Sequence, residues 1–143
     1  MIFSIVLDTA SSTVFELGKE LREHLESEVS EQYSHVDLNI IVGLRCLPET
    51  HRYKTFNRYT KKDKNLIVDI YLSLEEYSLM YKAEQRFNLG NELIFHLKKA
   101  FEKRTFEGLD STELINFIIR LGREANPLSW FSDEMDWGTD LYI

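Results

Sequence analysis

The sequence predicts an α+β protein in which a mostly antiparallel sheet, in the order βαβββ, packs in two layers against helices. Apolar residues alternate at a period of two in the first half of the chain and recur at a period of about 3.6 in the second half. The two patterns meet at Ser73, whose hydroxyl can cap the backbone N–H of Glu76, so that a strand runs directly into a helix. With 143 residues, the chain is expected to form a single domain, residues 1–143.

Four segments are predicted as strands. Residues 2–7 form a short buried strand, and residues 36–47 carry apolar side chains at six alternating positions of one face. Residues 52–60 and 66–72 flank a polar turn at residues 61–65, which predicts a β-hairpin. The lysine and arginine side chains of residues 52–60 are typical of an outer strand, where they discourage edge-to-edge association.

Three segments have helical periodicity. A capping pattern at residues 13–16 begins an amphipathic helix whose outer face is rich in glutamate. The helical pattern that follows the last strand continues to residue 101. Gly90 lies inside this pattern and costs about 1 kcal/mol relative to alanine, which predicts a kink or a break. A further helix begins near residue 110 and ends before the Asn126–Pro127 pair, so the C-terminal half is helical and is followed by a tail.

Charge and composition limit the functions that the chain can have. The formal net charge is −7 and the isoelectric point is near 5.1, which disfavours nucleic acid as a direct ligand because phosphate contacts need a basic surface. The single cysteine, Cys46, rules out an intrachain disulfide. The N-terminus has no basic segment and no apolar run long enough for a signal peptide or a membrane span, so we expect a cytoplasmic protein without a membrane partner.

No pattern in the sequence points to a metal, a cofactor or a catalytic set. The four histidines are far apart, and none has the spacing of a zinc pair. One enzymatic alternative stays open, a small nucleic-acid- or nucleotide-handling enzyme in which His51 acts as general acid or base within the basic hairpin of residues 51–64. That hairpin offers neither a second histidine nor a placed carboxylate, so we expect the protein not to be an enzyme.

The C-terminal tail is the segment that core packing explains least. Residues 128–143 hold both tryptophans of the chain and four carboxylates, and they include no basic residue. Tryptophan and tyrosine dominate interface hot spots, and carboxylates suit a basic partner. We therefore predict a partner-binding surface made of Trp130, Asp133, Glu134, Asp136, Trp137, Asp140 and Tyr142. A compatible alternative is that Trp130 docks inward and covers one end of the core.

Two other surfaces are secondary candidates for the same contact. The first is the acidic outer face of the first helix, at Glu20 and Glu23, for which an ordinary solvated face is the alternative. The second is the basic hairpin, at Arg52, Lys54 and Arg58, which could hold phosphate or an acidic partner.

These features resemble the small bacterial immunity proteins that neutralise polymorphic or contact-dependent growth inhibition toxins. The resemblance rests on one acidic α+β domain of this size and on the acidic, aromatic end Asp133-Glu134-Met135-Asp136-Trp137. It implies a protein that binds one cognate toxin, often a basic nuclease, and covers its active site with carboxylates at phosphate positions. Electrostatic attraction would speed the association and weaken as salt rises. An adaptor domain is the remaining alternative, and the protein is expected to be a monomer or a homodimer.

Overall fold

The computed structural model describes residues 1–9, 11–47, 56–125 and 130. Within them, the strands form one sheet in the order β1-β2-β4-β3. The predicted α+β class and the βαβββ order are confirmed, with three helices after the last strand. Along the chain the elements are β1 (Ile2–Asp8), α1 (Ser12–Gln32), β2 (Asn39–Leu47), β3 (Phe56–Thr60), β4 (Asn65–Ser73), α2 (Leu74–Ser78), α3 (Lys82–Glu102) and α4 (Ser111–Ala125).

The sheet is mixed, and the expectation that it is mostly antiparallel is wrong. β1 is parallel to β2 and β2 is parallel to β4, whereas β3 is antiparallel to β4. The connections explain this order, because α1 crosses over between β1 and β2 and returns the chain in the same direction. β3 then takes the outer position, and β4 turns back beside β2. The predicted hairpin is therefore present as β3 and β4, joined by a turn at residues 61–64.

Alternating residues divide the sheet into two faces. The inner face lies under α1 and α3, and α4 packs against both of these helices. Burial of each aliphatic side chain on this face contributes about 1.5–3 kcal/mol, so the inner face carries much of the folding free energy. Ile2 and Val6, in contrast, are exposed on the outer face. The inner-face residues with almost no exposed surface are Phe3, Ile5, Ile40, Val42, Leu44, Leu66, Val68, Ile70 and Leu72.

α1 also closes the free edge of β1. The backbone N–H of Phe3 donates to Ser30 Oγ at 2.9 Å, and the N–H of Ile5 donates to Glu26 Oε2 at 3.4 Å. A strand edge with unpaired N–H groups is a template for association with another chain. Side chains of α1 thus satisfy the donors that β1 would otherwise present to solvent.

Two helix boundaries differ from the prediction. α1 is capped by Ser11, whose hydroxyl accepts from the N–H of Val14 at 3.3 Å, instead of by Thr13. The long helical pattern breaks between α2 and α3, at residues 79–81, whereas Gly90 is buried inside an unbroken α3. The predicted cap at Ser73 is confirmed, because its hydroxyl accepts from the N–H of Glu76 at 3.2 Å.

Tyr33 joins three parts of the chain at the amino end of the parallel strands. Its carbonyl oxygen accepts from the terminal amine of Met1 at 2.8 Å, and its hydroxyl donates to Glu113 Oε1 in α4 at 3.4 Å. Its ring meets Phe117 edge-on, with the centroids 5.9 Å apart. Burial and the neighbouring negative charge of Glu113 raise the pKa of the Tyr33 hydroxyl to about 12. The neutral hydroxyl of Tyr33 therefore joins the C-terminal end of α1 to the start of α4.

Candidate partner-binding surface

The outer side of α1 is acidic because its six glutamates occupy positions that the buried apolar stripe leaves free. Lys19 and Arg22 are the basic residues of the helix. Four glutamates are exposed and form no ion pair within the described residues: Glu16, Glu23, Glu28 and Glu31. The outer side of α1 therefore carries negative charge that the fold itself does not use.

The other two glutamates of α1 have intramolecular partners. Glu20 binds Arg86 of α3, with Arg86 Nε 2.9 Å from Glu20 Oε1 and both side chains mostly buried. Glu26 accepts from the edge of β1. Of the two predicted contact residues, Glu20 thus joins α1 to α3, whereas Glu23, one turn further on, is exposed and has no such partner in the described chain.

Trp130 lies inside the protein. Its side chain has 0% of its surface exposed, and its ring meets the His24 ring of α1 edge-on at 6.2 Å between centroids. This placement matches the alternative in which Trp130 docks inward, so the indole does not form part of the surface. The other predicted tail residues lie outside the described residues: Asp133, Glu134, Asp136, Trp137, Asp140 and Tyr142.

The basic hairpin is described only in part. Arg58 is exposed on β3 and pairs with Ile67 of β4, so it belongs to the outer face of the sheet. Arg52 and Lys54, together with His51, lie outside the described residues. Arg58 therefore lies on the side of the sheet opposite the helices.

A cleft of about 720 Å³ lies between the β3–β4 turn and the segment that follows α3. Lys61, Lys64 and Arg104 contribute to its lining. Lys64 pairs with Asp37, and this hydrogen bond raises the pKa of the lysine. Arg104 donates to Asn57 Oδ1 at 2.9 Å. Two of these three cations are thus engaged within the fold.

The outer face of the sheet carries an ionic ladder that the sequence analysis missed. Arg45 of β2 contacts Asp8 of β1 on one side and Asp69 of β4 on the other, with 3.1 Å between Arg45 Nε and Asp69 Oδ1. The hydrogen bond that Arg45 donates to Asp69 raises the pKa of Arg45 above its usual range. Gly43 leaves the room for Asp69, because a Cβ there would lie 2.5 Å from Asp69 Oδ1. Only the strand order reveals this arrangement, since the three charged residues lie far apart in the sequence.

A second surface that sequence reasoning missed lies where α2 meets α3. We call residues 74–87 the α2–α3 corner. Leu79 and Tyr81 have 82% and 81% of their surface exposed, and the carboxylates of Glu75 and Glu84 are exposed beside them. The helical pattern through this segment concealed the corner, because a continuous helix would have placed Leu79 and Tyr81 differently.

Neither a metal centre nor a membrane segment is found in the part of the chain that the structure describes. No three His, Cys, Asp or Glu side chains there are grouped closely enough to hold a metal ion. None of its helices combines the length and the apolar character that a membrane-spanning helix needs. The buried His96 lies 3.1 Å from Glu92 on the same helix, and Cys46 lies against Thr9.

Comparison with known families decides the class of the protein. The family model of immunity protein 44 matches residues 1–123 of the chain. The chain belongs to the immunity protein 44 family. An immunity protein binds a cognate toxin and neutralises it, so the resemblance drawn from the sequence is confirmed at the level of the family. No curated protein and no solved structure matches this immunity protein.

Some of the candidate surfaces lie within the residues that the family model matches, and others lie outside them. Residues 1–123 include the whole sheet, helices α1 to α3 and most of α4. The acidic side of α1 and the α2–α3 corner therefore lie within the part that defines the family. Residues 124–143, which include the predicted tail surface, lie outside it.

Proposed function

We propose that this immunity protein neutralises a basic nuclease toxin by covering its active site with an acidic, aromatic surface. The observation that carries the proposal is the outer side of α1, where exposed glutamates have no intramolecular ion pair within the described residues. Unpaired carboxylates attract a cationic active site and occupy positions where phosphates would bind. The net charge of −7 adds a long-range attraction to the same partner.

The tail adds a second acidic segment to this proposal. Its carboxylates Asp133, Glu134, Asp136 and Asp140 and its aromatic residues Trp137 and Tyr142 have the composition of an interface anchor. Trp130 serves in a different way, because its indole is buried and its ring meets His24 of α1. Within the tail, contact with the toxin is thus assigned to the residues after Trp130.

The proposed mode of action is stoichiometric binding without turnover. The inhibitor acts in the bacterial cytoplasm, where a nuclease delivered by contact-dependent growth inhibition would reach its substrate. It requires no cofactor and does not bind nucleic acid directly.

The proposal is tested by co-expressing this chain with the C-terminal domain of the toxin encoded beside it, and by measuring binding of the purified pair. We expect growth to be restored and nucleic-acid cleavage by the toxin to stop at one inhibitor per toxin. Substitution of Glu16 and Glu23 by lysine should slow association by about tenfold at low salt, since steering depends on local charge.

The matched control is the pair Asp63→Lys and Glu107→Lys. Both residues are exposed near the β3–β4 turn, and the double variant changes the net charge by the same amount. Equal loss of association rate in the two double variants would show that only net charge matters and would contradict an α1 interface. A toxin that stays active in the presence of folded wild-type chain, or one that does not cleave nucleic acid, would contradict the proposed function.

A further inference from the structure

The α2–α3 corner exposes apolar side chains that the fold does not need. Leu79 and Tyr81 are the most exposed large hydrophobic residues among those described, and Leu74 and Phe87 of the same corner are also exposed. Single exposed apolar residues are normal on a protein surface, but several in one place indicate an interaction site.

The backbone of the corner is held rigidly from inside. The buried side chain of Gln85 donates from Nε2 to the carbonyl oxygens of Tyr77 and Met80, at 2.8 and 3.3 Å. The buried Tyr77 donates its hydroxyl to Asn88 Oδ1 at 2.6 Å. These bonds satisfy the carbonyl groups at the end of α2 and fix the link between the two helices. Leu79 and Tyr81 therefore project from a preorganised backbone, which lowers the entropic cost of binding.

A shallow depression lies beside these side chains. It has a volume of about 350 Å³ and is lined by Met80, Ala83, Glu84, Phe87 and Asn88. Its aromatic and thioether groups suit the aliphatic part of a partner side chain, and Glu84 places a carboxylate at its margin. A lysine or arginine of the partner has both parts, an apolar stem and a cationic head.

The charges around the corner favour a basic partner. The corner carries three exposed glutamates, Glu75, Glu76 and Glu84, against one exposed lysine, Lys82, because Arg86 is already bound to Glu20. The same ion pair places the second turn of α3 against α1, so that the corner is joined to the helix that carries the exposed Glu23. A partner seated on the corner would thus meet apolar anchors and carboxylates at once.

We propose that the α2–α3 corner is the anchor of the toxin interface, with Leu79 and Tyr81 inserted into an apolar pocket on the basic surface of the toxin. This inference rests on the proposed function and adds the site that slows dissociation. The glutamates of α1 and Glu75 accelerate the encounter, whereas Leu79 and Tyr81 hold the complex together.

The test compares Leu79→Ser and Tyr81→Ala with Ile2→Ser, in binding kinetics against the purified toxin domain. Ile2 is a matched control because it is an aliphatic side chain with 61% of its surface exposed, on a different face. We expect each corner variant to weaken affinity by about 10- to 100-fold, mainly through faster dissociation. Ile2→Ser should keep the wild-type affinity, and Glu75→Lys should slow association instead.

The outcomes separate this inference from the proposed function. If wild-type chain does not neutralise the toxin, the proposed function fails. If wild-type chain and both corner variants neutralise it with equal affinity, only the anchor is overturned. A thermal midpoint lowered by Leu79→Ser would overturn the anchor, because the side chain would then serve the fold. The anchor would also be overturned if the protein formed a concentration-dependent dimer and Leu79→Ser abolished this dimer without changing toxin affinity.

Discussion

The outer face of the sheet and the α2–α3 corner both expose apolar side chains, but they differ in how their charges are used. On the sheet, Arg45 is shared between Asp8 and Asp69, so each of these charged groups has an intramolecular partner. At the corner, Glu75 and Glu84 are exposed and form no ion pair within the described residues, although Glu84 also accepts from the backbone N–H of Tyr81 at 3.4 Å. Apolar exposure alone thus does not distinguish the two surfaces.

The difference indicates which surface can recognise a partner. An ionic ladder that is already satisfied offers little to a charged partner, because new contacts would have to replace existing ones. Unpaired carboxylates around fixed apolar groups offer both attraction and an anchor. We infer that charge without an intramolecular ion pair is the better guide to function in this immunity protein.

The sharpest contrast is between two aromatic residues, one buried and one exposed. Trp130→Ala should lower the free energy of unfolding by about 3–5 kcal/mol, because it removes a large side chain that is 0% exposed. Tyr81→Ala should change it by less than about 0.5 kcal/mol. Urea denaturation of both variants measures the difference. Comparable destabilisation by Tyr81→Ala would mean that the corner belongs to the fold after all.

The ionic ladder of Asp8, Arg45 and Asp69 can be disturbed by a substitution at Gly43. Gly43→Ala places a Cβ 2.5 Å from Asp69 Oδ1 and should cost about 1–3 kcal/mol of unfolding free energy through overpacking. The cost should shrink when Asp69→Ala is already present, because the clashing oxygen is gone. A double-mutant cycle by denaturant unfolding measures this coupling. An unchanged cost in both backgrounds would show that Asp69 is not the reason for a glycine at this position.

Tyr33, at the amino end of the parallel strands, makes a smaller contribution to stability that depends on pH. Because the pKa of Tyr33 is raised from 10.0 to about 12, its contribution to stability is complete below pH 10 and is lost as the pH rises through about 12. The loss should be on the order of 1 kcal/mol once solvent screening is taken into account. Unfolding of wild type and Tyr33→Phe across this alkaline range measures it.

The comparison of Tyr33→Phe with wild type provides the control in that experiment. The two proteins differ only in the Tyr33 hydroxyl, so the difference between the two curves isolates this group. The variant should be less stable at neutral pH, because it lacks the hydrogen bond to Glu113, and should lose less stability on going alkaline. Parallel curves would contradict the assigned pKa.

Local patterns predicted much of the fold. The period-two alternation identified the buried residues Val42 and Leu44, and the hydroxyl of Ser73 capped α2 as expected. The strand order could not be found in this way, because the parallel pairing of β2 with β4 depends on contacts between distant segments. The local sequence of residues 36–47 or of residues 66–72 does not indicate which strand will lie beside it.

The candidate surfaces were harder to predict for the same reason. Glu20 and Glu23 look alike in the helical pattern, and only Arg86, on another helix, distinguishes them. The corner was concealed because a break was expected at Gly90, which packs well enough inside α3 to stay helical. The break lies earlier, where Gln85 supplies the hydrogen bonds that the end of α2 lacks.

The role of Gln85 has a consequence for how this immunity protein can diversify. The shape of the corner is set by a buried amide and by backbone carbonyls, and not by Leu79 or Tyr81. Both exposed side chains can therefore be exchanged in the course of evolution while the backbone beneath them is retained. A lineage facing an altered toxin could change its specificity through these two codons, without passing through an unstable intermediate.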